Sequence, residues 1–385
     1  MAPKNKDKEK ATKQEQDENA DNSKSLLKAA LDDNKADHYN YDETVYWKSS
    51  TGSLILDAAT GGVMPSLWRL TGSNNSGKTP ELLEIIRNIL ATVPNSKGLW
   101  CIAEGRGLSE ENRARCGLKF VTTVEDWEIG TVFLLQANVF ELFIRILKDL
   151  VKNNPANIRY AFGVDSVDGL ILRDDLAKDI TEHNRVAGVP MLSKKMLQSL
   201  SLGMFKFGHF MGMISQVTSE IKLDQYAKTA NRGGNFSGGN SLLHGADIIL
   251  EFENPNLGDF ILNNPTGKMN DGKSKPIGQN VRVRMSKSIK EASRKTTVSY
   301  PIRYGRKPSG IWVEREIGDL MLAWGLLVKG GSWMTFQDTI ISELKEQGIE
   351  IPVKVQGMDA VYEIFEQDPK AKDYMYNKFL SLIAQ

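Results

Sequence analysis

The stretch Gly72-Ser73-Asn74-Asn75-Ser76-Gly77-Lys78-Thr79 has the residue types and spacing of a phosphate-binding loop, G-x-x-x-x-G-K-[ST]. In such a loop the glycines let successive backbone N–H groups converge on a phosphate. The helix that follows adds the positive end of its dipole. Lys78 has the length to reach the β- and γ-phosphates, and the Thr79 hydroxyl is a ligand for Mg²⁺. The loop works only between a strand and a helix. Leu67, Trp68 and Leu70 before it read as a strand, and Leu82, Leu83, Ile85 and Ile86 after it recur at helical spacing. Motif and context together predict a nucleoside-triphosphate site.

Three further residues close apolar runs that read as strands. Asp165 ends Ile158–Val164, where a carboxylate orders the Mg²⁺ shell opposite Thr79. Glu104 follows Gly98–Ala103 and is placed to polarise an attacking water, because catalytic groups collect at the carboxyl edge of an open α/β sheet. Gln216 ends Phe210–Ser215, and its amide is suited to sense a γ-phosphate and signal to the next loop. Each has a plainer alternative: Asp165 as a turn former, Glu104 as a loop residue capping the helix at Ser109, Gln216 as a turn partner. The segment after Gln216 carries Lys222, Lys228 and Arg232 among Gly233-Gly234 and Gly238-Gly239, a mixture suited to a line of phosphates or to an ordinary solvated loop.

These side chains need a scaffold of alternating strands and helices, which predicts an α/β fold: a mostly parallel twisted sheet flanked by helices. Further strands are expected at Asp247–Phe252, Val281–Ser286 and Thr297–Tyr304, and helices at Leu134–Val151 and Met191–Leu202. Asn254–Gln279 reads as a surface hairpin or insertion. The chain has 385 residues, 41% hydrophobic and 25% charged, with net charge +1, so any nucleic-acid surface must be local. Residues 1–23 mix charges with nothing to bury and read as a disordered polar tail. Residues 24–44 hold a short amphipathic helix around Leu26–Leu31 that needs a surface to dock on. The core is assigned to 45–315, and 316–385 to a small helical C-terminal module. Cys101 and Cys116 suit neither a disulfide framework nor a metal cluster. The absence of a long apolar run or a signal-peptide pattern predicts a soluble, cytoplasmic protein with no membrane partner.

In order along the chain, these pieces resemble the RecA recombinase family, bacterial RecA and the phage UvsX-type enzymes included. Ser50-Thr51-Gly52-Ser53-Leu54-Ile55-Leu56-Asp57 is similar to the family's STGS-x-x-LD segment. Ser76-Gly77-Lys78-Thr79 matches its SGKT, Ala103-Glu104 its catalytic glutamate, and Val164-Asp165-Ser166-Val167 its VDSV. Ile214-Ser215-Gln216 resembles its I-N-Q, and Ser237-Gly238-Gly239-Asn240 its TGGN. Val281–Lys287 is similar to the strand whose lysine, here Lys287, reaches a neighbouring subunit's ATP.

The resemblance implies an ATP- and Mg²⁺-dependent, single-stranded-DNA-binding recombinase with a RecA-type core. It would form head-to-tail filaments, pair with homologous duplex DNA, exchange strands and work beside single-strand-binding or loader proteins. It implies that Lys78, Glu104 and Gln216 are catalytic, that residues 72–79, Asp165 and Lys287 hold nucleotide, and that Thr79 and Asp165 hold metal. Two loops, near 172–190 and 218–239, would hold DNA through Arg185, Ser193, Lys194, Lys195, Lys222, Lys228, Arg232, Gly238, Gly239 and Asn240. The helix near Leu26 would be a subunit-docking arm.

Departures from the pattern stand at Pro80, which removes an amide beside the phosphate loop, at Ile102, and at Asn112, where the family has an adenine-stacking tyrosine. The C-terminal module also differs, which favours a phage-type or divergent member. The alternatives are a catalytically weak paralogue that scaffolds recombination, a RecA-fold helicase, and an unrelated P-loop ATPase or kinase.

Overall fold

The computed structural model describes residues 23–34, 44–105, 108–177, 188–216, 245–264, 266–269 and 274–383. The chain divides into two units, 1–44 and 45–385. In the first, a helix over residues 23–33 (α1) exposes Leu26 and Leu27 by 66% and 61%. The polar tail lies outside the described residues.

The second unit begins with α2 (Leu54–Thr60), β1 (Ser66–Gly72), α3 (Lys78–Thr92) and β2 (Ser96–Ile102). It continues through α4 (Glu110–Arg115), β3 (Lys119–Val121), β4 (Thr131–Gln136), α5 (Phe140–Lys152), β5 (Arg159–Asp165), α6 (Arg173–Leu176), α7 (Gly188–Lys206) and β6 (Phe210–Gln216). β7 (Ile248–Phe252), β8 (Phe260–Leu262), β9 (Pro276–Lys287) and β10 (Thr297–Arg303) follow. These strands form one ten-stranded sheet in the order β10-β9-β7-β1-β6-β5-β2-β4-β3, with β8 paired to β9. From β7 to β3 every neighbour is parallel, and β8, β9 and β10 add an antiparallel edge.

Every residue of β1 is buried, as a central strand covered on both faces requires. Alternate residues go to opposite cores. Trp68 and Leu70 pack with Leu82, Ile85, Ile86 and Ile89 of α3. On the other face Leu67 joins Phe143 and Leu147 of α5 and Met196 and Leu200 of α7. Burying one such leucine or isoleucine is worth about 1.5–3 kcal/mol, so the two layers hold the loop between β1 and α3 firmly.

The expected helix at Leu134–Val151 is a strand, a short link and a helix: β4 takes residues 131–136 and α5 starts at Phe140. The segment after β7 makes a hairpin through β8 and β9. The C-terminal region comprises α8 (Val313–Ala323), β11 (Leu327–Gly330), β12 (Trp333–Phe336), α9 (Asp338–Glu346), β13 (Lys354–Gln356), α10 (Gly357–Gln367) and α11 (Pro369–Ile383). It is therefore not purely helical: β11, β12 and β13 form an antiparallel sheet over a third core of Ile317, Met334, Phe336, Leu344, Phe365 and Phe379. Among the described residues no helix is long and apolar enough to cross a membrane.

Candidate functional site

Strand register brings the chemistry-bearing residues to one edge. Gly72 at the end of β1 lies opposite Gln216 at the end of β6, and Ile102 at the end of β2 lies opposite Asp165 at the end of β5. Gly72 has φ +148°, and a Cβ there would meet the Phe252 carbonyl oxygen at 2.5 Å, so the β1–β7 approach admits no side chain. Asn75 and Gly77 adopt φ +61° and +102°, which turns the chain into α3. Ser76 donates to the Ser73 carbonyl at 2.8 Å, and Ser73 bonds the Asn254 side chain beyond β7. Asn74 is exposed at the loop tip.

Lys78 folds back into this loop. Its Nζ donates to the carbonyls of Gly72 (2.9 Å) and Ser73, and lies 3.4 Å from Ser76 Oγ. Burial pushes the ammonium down in pKa, while the carboxylates of Asp165, Asp168 and Glu104 hold it up. Thr79 Oγ1 donates to Asp165 Oδ2 at 3.0 Å. Burial raises the Asp165 carboxyl above the usual range and Glu104 adds to that, against the Thr79 hydrogen bond and Lys78. A hydroxyl and a carboxylate in contact are the hard oxygen donors that Mg²⁺ takes, usually one or two from protein with phosphates and waters completing the shell. The donor set fits Mg²⁺, and a buried lysine among backbone groups fits a polyphosphate.

Glu104 does not cap the helix at Ser109; Ser109 itself caps α4, accepting from Asn112 N at 3.2 Å. Glu104 Oε1 instead accepts from the Ser166 hydroxyl and from Gln216 Nε2 at 3.2 Å. The Asp165–Ser166 peptide is cis. A carboxylate that acts on Asp165 and is bonded to the amide that ends β6 is able to accept a proton from water and to register displacement of Gln216.

Lys287 lies apart from this group. Lys287 stands opposite Ile249, three residues before Phe252, roughly 10 Å back along the strand from the phosphate loop. Its ammonium bonds the Ala246 carbonyl and attracts Asp247. On α7, Ser193 is fully buried whereas Lys194 and Lys195 are exposed, so the two lysines are the members open to a polyanion. Arg185, Lys222, Lys228, Arg232, Gly238, Gly239 and Asn240 lie outside the described residues. Pro80 and Asn112 line a small cavity of about 60 Å³ beside α3, with Gly77, Arg115 and Tyr300.

Sequence reading quotes Ser166 without a role and overlooks Asp168 and Asn254. Ser166 has a visible signal, its place beside Asp165 in an apolar strand end. Asp168 and Asn254 have none, because their partners are distant in the chain.

No family model matches the sequence. The chain is similar to Protein RecA of Fusobacterium nucleatum, 25% identical over 301 residues that make up 77% of this chain and 70% of that protein. Protein RecA of Aquifex aeolicus is 25% identical over 300 residues, 77% of this chain and 76% of the relative. Protein RecA of Cytophaga hutchinsonii is 23% identical over 329 residues, 84% and 78% of the two chains.

Proposed function

The chain is related to the RecA family, and from that premise we propose that it is a DNA-dependent ATPase that assembles on single-stranded DNA and catalyses homologous pairing and strand exchange. The observation that carries the proposal is the Glu104–Gln216 hydrogen bond. It joins the group suited to activate water to the residue from which the glycine-rich, cationic segment departs. A nucleotidase without a polymer partner has no need of that link.

In this reading the loop 72–79 and Lys78 bind the triphosphate of ATP, and Thr79 and Asp165 hold Mg²⁺. The metal, when bound, offsets charge on the β- and γ-phosphates. Glu104 takes a proton from the attacking water. Gln216 fixes the glutamate's orientation, and a shift at the end of β6 on DNA binding changes it. Lys287, too far back along its strand for its own phosphate loop, serves the nucleotide of an adjoining subunit in a head-to-tail filament. Single-stranded DNA lies along the segment after Gln216 and the exposed lysines of α7.

The test is ATP hydrolysis with and without single-stranded DNA, beside Lys78→Ala. Strong stimulation, absent in the variant, is expected, followed by strand exchange. A second reading, an ATP-binding scaffold with little turnover, rests on the departures at Pro80, Ile102 and Asn112; DNA binding without hydrolysis would establish it. Hydrolysis indifferent to DNA, with no DNA binding, overturns both.

A further inference from the structure

The turn Val167–Gly169, directly after β5, bears on both side chains that the proposed function couples. Toward Glu104, Ser166 at its start donates its hydroxyl to the carboxylate. A Cβ on Gly169 would stand 2.7 Å from the Ala103 carbonyl oxygen and 3.1 Å from Glu104 Cγ. The turn is therefore pressed onto the segment that carries the glutamate, closer than any side chain permits. Toward β6, Asp168 Oδ2 accepts the backbone N–H of Gln216 at 2.5 Å. The β5–β6 ladder ends at Val164 and Met213. Beyond that pair β6 has no β5 neighbour, and Asp168 supplies the acceptor for its last residue.

Two cations, Arg69 and Lys78, also feel the charge of Asp168. Arg69 is wholly buried in β1 and donates Nε to Ser215 Oγ at 2.8 Å. Burial pulls this guanidinium down to about 10, and attraction to Asp168 acts the other way. A buried charge in a central strand is costly unless it is paired, and nothing in phosphate binding calls for this one. Asp168 Oδ1 has no hydrogen-bond partner among the described residues, so the Gln216 amide is the carboxylate's one bond.

From this juxtaposition we infer that Asp168 is a positioning residue that ties the end of β6 to the turn bearing on Glu104, so that a displacement of Gln216 reaches the glutamate through backbone as well as through the Gln216 side chain. The inference rests on the proposed function, in which DNA acts on the chain at Gln216.

The experiment is steady-state ATP hydrolysis by the full chain with and without single-stranded DNA, for wild type, Asp168→Ala and Asp168→Asn. Alanine removes the acceptor, and asparagine keeps an oxygen for the Gln216 N–H. In Asp168→Ala the stimulation ratio is expected to fall about tenfold, through kcat, with KM for ATP within about twofold. Asp168→Asn is expected to recover most of the ratio. An unaltered ratio in Asp168→Ala overturns the inference, as does a loss that asparagine does not mend and that follows the melting temperature. Should the alanine variant not fold, hydrogen exchange on wild type decides: the Gln216 amide is expected to change its exchange rate on adding single-stranded DNA, and an unchanged rate overturns the inference. A wild type whose hydrolysis ignores DNA overturns the functional reading and this inference with it. A stimulated wild type and an equally stimulated alanine variant overturn the inference alone.

Discussion

Glu316 of α8 accepts hydrogen bonds from the Ser53 hydroxyl and, at 2.9 Å, from the Leu54 N–H, although 263 residues separate it from Ser53. Ser53 is at the same time the N-cap of α2, accepting from Leu56 N at 3.1 Å. Nearby, Asp57 accepts from the Ser50 hydroxyl and, at 2.7 Å, from Thr51 N, and Ser50 also meets the Tyr376 hydroxyl of α11 at 2.7 Å. The Ser-Thr-Gly-Ser-x-x-Leu-Asp segment therefore works here as a polar clasp between α2 and the C-terminal helices.

The clasp makes stability depend on pH. Burial pushes Glu316 up to about 8 and Asp57 up to about 6, and Glu81, buried beneath Tyr300, to about 8. The folded chain thus holds these protons more tightly than the unfolded chain does. Their contribution is full below the ordinary carboxylate range, near pH 4, and is lost as pH rises through 6 and then 8. The melting temperature should fall between pH 5 and pH 8 by thermal denaturation at constant salt, and Glu316→Gln should make that fall shallower. Glu316→Ala, which strands the Leu54 donor, should cost about 1–3 kcal/mol at any pH. A melting temperature that climbs steadily over this window contradicts the argument.

Lys78→Ala should separate chemistry from folding. Among the described residues the ammonium donates only to loop carbonyls and the Ser76 hydroxyl, and the cost of its burial offsets its attraction to Asp165, Asp168 and Glu104, so the melting temperature should hardly move. Hydrolysis should drop by about 10²–10³, the usual cost of losing a preorganised charge at a reacting phosphate. Equal loss of stability and activity would mean that Lys78 is a structural residue.

How far these features are visible in sequence depends on how local their causes are. β6 reads end to end, Phe210 to Gln216, because a short apolar run preceded by Gly208-His209 and closed by a polar residue has the length of a buried strand. The step from β4 to α5 does not, since Leu134 and Leu135 continue at helical spacing into Phe143 and Leu147 and hide the link at 137–139, where Val139 bridges Ile171. β11, β12 and β13 span three or four residues each, too few to show an alternation. Arg69 reads as a blemish in an apolar strand, because Ser215, which accepts its Nε–H, arrives from another element. The same holds within the site: Thr79 and Asp165 are legible from their motifs, and the turn that links Glu104 to Gln216 is not.

Glu104→Gln keeps the size of the side chain and an acceptor oxygen for Ser166, but it cannot take a proton from water. A fall in kcat of about 10²–10⁴ is expected, with nucleotide and DNA binding retained. Single-turnover hydrolysis beside equilibrium DNA binding separates the two. Loss of DNA binding in step with kcat would show that Glu104 holds the site together and performs no proton transfer.

Pro80 offers a test in which two expected shifts have opposite signs. It is the third residue of α3, where a missing N–H breaks no intrahelical bond, and its fixed φ suits a first turn. Its ring also restricts the unfolded chain, so Pro80→Thr should lower the stability of the nucleotide-free protein by about 0.4–1 kcal/mol. The same change restores an N–H at the end of the loop that, in the proposed function, binds phosphate. One added hydrogen bond to a charged group, about 1.5 kcal/mol, corresponds to roughly tenfold tighter binding of a slowly hydrolysed ATP analogue. Calorimetric titration and thermal melting of the two proteins measure the pair. Tighter binding with a lower nucleotide-free melting temperature identifies Pro80 as a residue that limits nucleotide affinity, whereas unchanged affinity with lower stability leaves it only the helix start.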